Sequence, residues 1–486
     1  MQATVALRER GRMAALFQAL WQAARHQAGW RAPDRRTLRT WRQFVLGLVV
    51  ARSTRLVTVG QVLLGQRAAR STKAVAMALG YFLAVAKFPA APVSTQVLEA
   101  AARRLDPAQV ATYRGKAVLA LDPTEYPKRS RGRSKRGRHM EHVGRVRTPA
   151  KGGRRRAGRR RGPRPAQPAA PARPPAASGA GGVGEGRAGA GRSVATTSGY
   201  VDVWAGLVLK GQQLLPLARA LFSNRHPDLR SQNQVEAAVL GAALALLARL
   251  GWAAILVADR GLGRKELLVS LVVQRRDFVI RVDADVTVFT PAQPDGARLD
   301  VVLAAQPVVG EVVWDRGQEG TLRCEARTVT AAIRFSRSGR RLDYTEATLH
   351  VVELLPLDGV TDPLVVATTL PVETLADITG VVRVYSWRWS IETAFETMKA
   401  WGLGRFMVRR WQAIDRLLWL VAVAYALLVV AARDGPLALL REQAVALLKR
   451  LAVLGRRLTV GKLAEAIGLD YQRHRRAWTS AWLTCT

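Results

Sequence analysis

The sequence predicts an α/β chain whose mixed core is interrupted by a β-rich insertion and flanked by helical regions. Three observations carry this. Two short apolar runs, Lys116–Leu121 and Ala253–Ala258, each end at an aspartate, the pattern of a buried strand. Residues 284 to about 362 alternate Val and Thr with polar residues between Gly and Pro turns, as strands do. The first 114 residues, and those from about Val372 onward, are apolar-rich with few turn signals and read as helices.

Taken in order, Trp41–Leu64 and Ser71–Val85 read as helical, and Pro89, Pro92 and Pro107 punctuate the next stretch, so residues 1–114 are expected to form a separate helical N-terminal domain. The run from Lys116 then delivers Asp122 at the expected C-terminal end of a strand. From Lys128 to Arg192 the composition changes to 20 Lys or Arg against 2 Glu, with a Pro-, Ala- and Gly-rich centre. Such a stretch cannot bury enough apolar surface to offset its chain entropy, so residues 128–194 are expected to be a basic insert, disordered from about 148. Strand-like character resumes at Gly199 (YVDVWAGLVL, then QLLPLARALF), followed by a helix over 233–250 and a strand ending at Asp259. A helix from about Arg264, a strand within 275–283, the β-rich stretch 284–362 and the strand PLVVATTLP complete the core. The predicted core is therefore 115–127 with 195–283 and 363–435, and residues 436–486 form a helical C-terminal region.

Composition narrows the function. The 486 residues carry 75 Lys or Arg against 36 Asp or Glu, a formal charge of +39, which favours a polyanionic partner, nucleic acid first. GC-rich coding accounts for part of the arginine but not for a twofold excess over acids. The insert supplies +18 of the charge, and the remaining +21 is spread over the rest of the chain. Cys324 and Cys485 provide neither a disulfide framework nor a CxxC zinc motif, which fits a reducing cytoplasm. The N-terminus has no apolar stretch of the secretory kind. The longest apolar run, Leu417–Ala432, has 16 residues where a bilayer span needs roughly 20, so a buried core helix and no membrane are expected.

The candidate chemistry lies in Asp122, Asp259 and a later glutamate. Aspartates after strands often only cap helices or open turns, and either one alone says little. Two metal ions roughly 3.5 to 4 Å apart, however, need several hard oxygen ligands on rigid elements, and two strand-end aspartates with a helix-borne glutamate meet that need. In VYSWRWSIETAFETMKAWGLGRF, the residues Tyr385, Arg388, Glu392 and Lys399 fall within an arc of roughly 60° if one helix runs through them at about 100° per residue. Val384, Trp387, Ile391, Phe395 and Met398 form an adjoining apolar edge, so this helix is expected to pack while aiming its polar edge into a cleft. Glu396 lies on the same face, and geometry leaves it open beside Glu392.

The Tyr-(2)-Arg-(3)-Glu-(6)-Lys spacing, LDPTEYPKRSRG around Asp122 and VADRGLGRKEL around Asp259 together resemble the insertion-sequence family-four DDE transposases. The resemblance covers roughly residues 115–410 outside the basic insert, which lengthens the first interval to 137 residues. It implies a ribonuclease-H-like catalytic core with a β-rich insertion between the second aspartate and the glutamate. It further implies Asp122, Asp259 and Glu392 as the triad holding two Mg2+, with Mn2+ as a substitute, and selects Glu392 over Glu396. Tyr385, Arg388 and Lys399 would contact double-stranded DNA near the scissile phosphate, and a homodimer on paired transposon ends is implied. Trp314 resembles in position the family's tryptophan that stacks on a flipped base, with an ordinary core tryptophan as the alternative. Arg260, Arg264 and Lys265 either steer phosphates or mark an exposed helix start.

Other features carry less. His139 and His142 have no cysteines nearby and make no metal site, and no G-x-x-x-x-G-K-[ST] loop occurs. LTVGKLAEAIGLDYQRHRRAW near the C-terminus reads as a helix-turn-helix or a plain helical hairpin with its turn at the glycine. The expected activity is transesterification on DNA, with a joining-deficient nuclease of the same fold and a non-enzymatic DNA-binding descendant as rivals.

Overall fold

The computed structural model describes residues 10–28, 35–64, 71–86, 88–128, 140–147, 196–229, 231–336, 344–433, 435–451 and 458–478. Most of the predicted basic insert, with His139 and Cys485, lies outside these residues.

The N-terminal region consists of α1 (Arg10–Ala28), α2 (Arg35–Ala51), α3 (Leu56–Leu63), α4 (Thr72–Ala84) and α5 (Ala90–Arg104). Ser71 caps α4 by accepting from the Ala74 amide, and Pro89 precedes α5 as its N-cap, where a missing N–H costs nothing. Trp41 on α2 gathers Trp21 and Phe17 of α1 and Phe88 at ring separations of 4.7, 5.4 and 6.1 Å. These helices do not close a separate core. Helices α2, α4 and α5 pack on the long helix α11 described below, in one continuous apolar cluster.

The core opens with β1 (Thr112–Tyr113), β2 (Lys116–Pro127), β3 (Gly144–Arg147), β4 (Thr196–Leu209) and β5 (Gln213–Phe222). Next come α6 (Gln232–Arg249), whose N-cap Ser231 accepts from the Asn233 amide, β6 (Ala254–Ala258), α7 (Lys265–Val273) and β7 (Asp277–Arg281). Five strands lie in the order β5-β4-β2-β6-β7; β5, β4 and β2 are antiparallel, while β2, β6 and β7 run parallel. Residues 144–147 were expected in the insert but form β3, which pairs with the first residues of β4. The core sheet therefore reaches into the stretch that composition assigns to the insert, because Val146 is buried on this edge.

The predicted β-rich stretch contains β8 (Thr287–Thr290), β9 (Gln293–Arg298), α8 (Leu299–Ala304), β10 (Gly310–Asp315), β11 (Thr321–Phe335) and β12 (Thr345–Pro356). It joins the core edge to edge: β12 pairs with β13 (Leu364–Thr368), which pairs with β7, so one sheet of 13 strands results. Helices α9 (Leu375–Ser386), α10 (Trp389–Ala400), α11 (Trp411–Ala431), α12 (Ala438–Arg450) and α13 (Val460–Arg473) follow.

One sequence expectation, the buried helix at 417–432, is met here, and one is corrected. The apolar run belongs to a helix of 21 residues, long enough to cross a membrane, yet 94% of its apolar window is buried inside the protein. Two bent helix pairs, with breaks of 103° and 98°, also pass that length and composition test. The glycine of the C-terminal basic segment makes no turn: Gly468 lies within α13, where an added Cβ would sit 3.0 Å from the Val50 carbonyl of α2. A close helix crossing, not a turn, is what requires glycine there.

A buried ion pair ties the sheet to α11. The Arg219 guanidinium on β5 donates through Nε and Nη2 to Asp202 on β4 at 2.9 and 2.7 Å, and through Nη1 to Asp415 on α11 at 2.7 Å. The second Asp202 oxygen accepts from the Tyr126 hydroxyl and the Trp204 indole at 2.9 and 2.7 Å. With both charged side chains fully buried and their bonding capacity used, removing one partner leaves an uncompensated charge. Arg219→Met is expected to cost about 3–5 kcal/mol, read as a lower urea midpoint, and Asp202→Leu in the same chain to recover part of that loss.

Candidate active site

The parallel pairing of β2 with β6 runs from Ala117 opposite Ala254 to Leu121 opposite Ala258. The next residue on each chain is an aspartate, so Asp122 and Asp259 leave the pairing level with one another. Only Asp259 ends its strand. β2 continues to Pro127 against β4, which places Asp122 inside a strand and not at its end. Asp259 precedes a 3-10 turn, Arg260–Leu262, but its side chain caps nothing and instead faces the Tyr385 hydroxyl at 3.4 Å. The ordinary helix-capping role is thereby excluded for Asp259.

The single helix expected from Tyr385 to Lys399 is two helices. Between α9 and α10 the amides of Trp387, Arg388, Ser390 and Ile391 bond carbonyls three residues back, at 2.9 to 3.2 Å. Such bonds wind the chain more tightly than an α-helix and break its register. No Gly or Pro announces the break. It coincides with a tertiary contact, the Gly317 turn between β10 and β11, whose added Cβ would lie 3.3 Å from the Trp389 ring.

The four side chains still converge. Burial pushes Asp122 up to about 7, Arg388 and Lys399 oppose the shift, and Asp259 and Glu392 reinforce it. One carboxyl group thus responds to every charged member of the predicted constellation. Arg388 is 5% exposed and forms an ion pair with Glu392 one turn on. Burial works against its charge, but Tyr385, Glu392 and Asp259 outweigh this and hold it above the usual arginine range. Its Nε has no hydrogen-bond partner, nor do the hydroxyls of Ser386 and Ser390 or the indole of Trp389 around it. Burial pushes the Tyr385 phenol up to about 12. Glu396 is exposed one turn beyond Glu392.

The remaining candidates are placed differently. Trp314 lies in β10 with 6% exposure, its indole unpartnered and the Arg316 guanidinium 5.4 Å from its ring. Strand β10 packs against α9, and Trp314 makes no bond to the carboxylates. Arg260 is exposed and pairs with Asp283 at 3.4 Å. Arg264 is held by the buried Glu236 of α6 and anchors a helix. Burial lowers the Lys265 ammonium. His142 packs against His226 and Trp411 at ring separations of 4.6 and 6.0 Å, a contact between distant segments that sequence spacing does not reveal.

As hard oxygen donors standing level, Asp122 and Asp259 fit a divalent cation. Glu392 fits only once Arg388 releases it, and among the described residues no three Asp, Glu, His or Cys side chains stand close enough to hold a metal.

Asp259 is positioned by a close approach of main chains. A Cβ at Gly263 would lie 2.3 Å from the Arg281 carbonyl oxygen of β7, whereas one at Gly261 would meet nothing within 4 Å. Gly263→Ala is expected to lift the turn off β7 and cost about 1–3 kcal/mol by overpacking, with Gly261→Ala close to neutral in the same thermal melt.

Residues 226–427 match the family model of the transposase DDE domain. The matched span includes Asp259, Tyr385, Arg388, Glu392 and Lys399 and begins beyond Asp122. The match likens this part of the chain, less than half of its length, to transposase DDE domains. No curated protein matches the chain.

Proposed function

We propose that this chain is a DNA transposase of the insertion-sequence family-four type, cutting transposon ends and joining them to target DNA. The reading rests above all on Asp122: it stands level with Asp259 on an adjacent parallel strand, and Arg388, Glu392 and Lys399 all act on it. The order β5-β4-β2-β6-β7, with one antiparallel and one parallel half, is the core we read as ribonuclease-H-like.

In this reading Asp122, Asp259 and Glu392 hold two divalent cations, Mg2+ or Mn2+. Bound there, such cations supply the charge that activates the attacking water or 3'-hydroxyl and steadies the leaving oxygen. The chain's own residues do the rest. Arg388 and Lys399 place cationic donors beside the carboxylates, where a scissile phosphate must sit. Tyr385, kept protonated by burial, orients Asp259 and contacts DNA; it is not a nucleophile. Because Arg388 is paired with Glu392, a DNA phosphate that engages Arg388 also frees the third carboxylate. The protein acts as a homodimer on paired ends in the cytoplasm.

Asp122→Asn, Asp259→Asn and Glu392→Gln are each expected to abolish Mg2+-dependent strand cleavage, while Glu396→Gln retains it; intact cleavage in the first three would sink the assignment. Chelation of divalent ions by EDTA is expected to stop cleavage, with restoration by Mg2+ or Mn2+. Cleavage without joining of pre-cut ends would reduce the protein to a nuclease. Lys399→Ala is expected to weaken DNA binding and lower its salt slope by about one. An unchanged slope would remove Lys399 from the interface.

A further inference from the structure

After α10 the chain turns over residues 401–404, with Gly402 and Gly404 at positive φ, and then runs from Arg405 to Arg409 outside any helix or strand. Phe406 is buried and Val408 half-buried, while Arg405, Met407 and Arg409 are exposed, the alternation of an extended segment. The carbonyls of Gly404 and Phe406 both accept from Lys128 Nζ, at 2.7 and 3.4 Å, and that ammonium lies 3.3 Å from the Phe406 ring centroid. Phe406 packs edge-on against Tyr126, the Glu141 amide donates to the Arg409 carbonyl at 3.0 Å, and the Trp411 amide donates to the Glu141 carboxylate. The segment is thus fastened from beneath with its arginines outward. Arg405, Arg409 and Arg410 make no ion pair or side-chain hydrogen bond among the described residues. Arg145 on β3 and Arg225 after β5 are also exposed, in the segments whose His142 and His226 pack against each other and against Trp411.

Unpaired arginines held at strand spacing on a fixed backbone have the chemistry of a phosphate track. Arg405 to Arg409 spans about 13 Å at roughly 3.3 Å per residue. This corresponds to about four nucleotides of one strand at roughly 3.4 Å per phosphate along the duplex axis. Tyr126, under Phe406, lies four residues beyond Asp122 on β2, again about 13 Å away. We propose that the segment Gly404–Arg410 is a DNA-backbone track that carries the duplex leading away from the carboxylates, with Arg405, Arg409 and Arg410 as its phosphate contacts. It deepens the transposase reading and depends on it for its substrate.

The test is binding of the full-length protein to a short duplex of arbitrary sequence across a salt series. Replacing Arg405, Arg409 and Arg410 together by Gln is expected to weaken binding at least about tenfold and flatten the salt slope by about 2.7, three contacts at roughly 0.9 each. The same three changed to Lys should keep the slope. Arg275→Gln with Arg276→Gln, at the end of the strands away from Asp259, should leave it unchanged. Unaltered binding in the triple variant, or an equal loss in the control pair, overturns the track. If the triple variant does not melt like the wild type, Arg409→Gln alone carries the test with a slope change of about 0.9. A wild-type protein that binds no DNA, or cleavage that survives Asp122→Asn, would instead sink the transposase reading.

Discussion

Everything chemical in this protein depends on the register of one pair of parallel strands. β2 and β6 pair over five residues, and the pairing stops where each sequence places an aspartate. A slip of one residue would turn one carboxylate to the other face of the sheet, because side chains alternate along a strand. Several contacts hold the register: the apolar runs buried on both faces, the continuation of β2 against β4, and the Gly263 turn pressed on the β7 main chain.

Gathering three carboxylates in a half-buried place is unfavourable without cations. Burial first, and then Asp259 and Glu392, push Asp122 up, and Arg388 and Lys399 supply part of the compensation. Arg388 pairs with Glu392 and, in the proposed function, also meets the DNA phosphate. Among the described residues the carboxylates do not meet as a metal cluster, and Glu392 is paired with Arg388. The α9–α10 break also gathers unpartnered buried side-chain atoms, those of Ser386, Arg388, Trp389 and Ser390.

Much of the fold was legible because short apolar runs and their punctuation are local properties. The strand ending at Asp259, the apolar run that opens the strand carrying Asp122, the helix at 232–249, the β-rich stretch and the buried character of the apolar run at 417–432 all appeared near their predicted positions. The errors share a cause. The break at Trp387 and Arg388, the helical Gly468, the strand at 144–147 and the shared core of the N-terminal helices each arise from a neighbour distant in sequence. The 60° arc assumed one uninterrupted helix, whereas the chain breaks there, with Trp387 and Arg388 both at right-handed helical backbone angles.

The sequence by itself determined which residue types are available and how they are spaced: two aspartates after apolar strands, then Tyr385, Arg388, Glu392 and Lys399 at helical intervals. Spacing along a chain is a local constraint that composition and periodicity express directly. Only the tertiary structure decided that Asp122 and Asp259 stand level, that Glu392 is held by Arg388, and that Arg405, Arg409 and Arg410 remain unpaired among the described residues. Those outcomes depend on strand register, on which charge reaches which partner, and on what covers each side chain, and segments far apart in the chain settle them together.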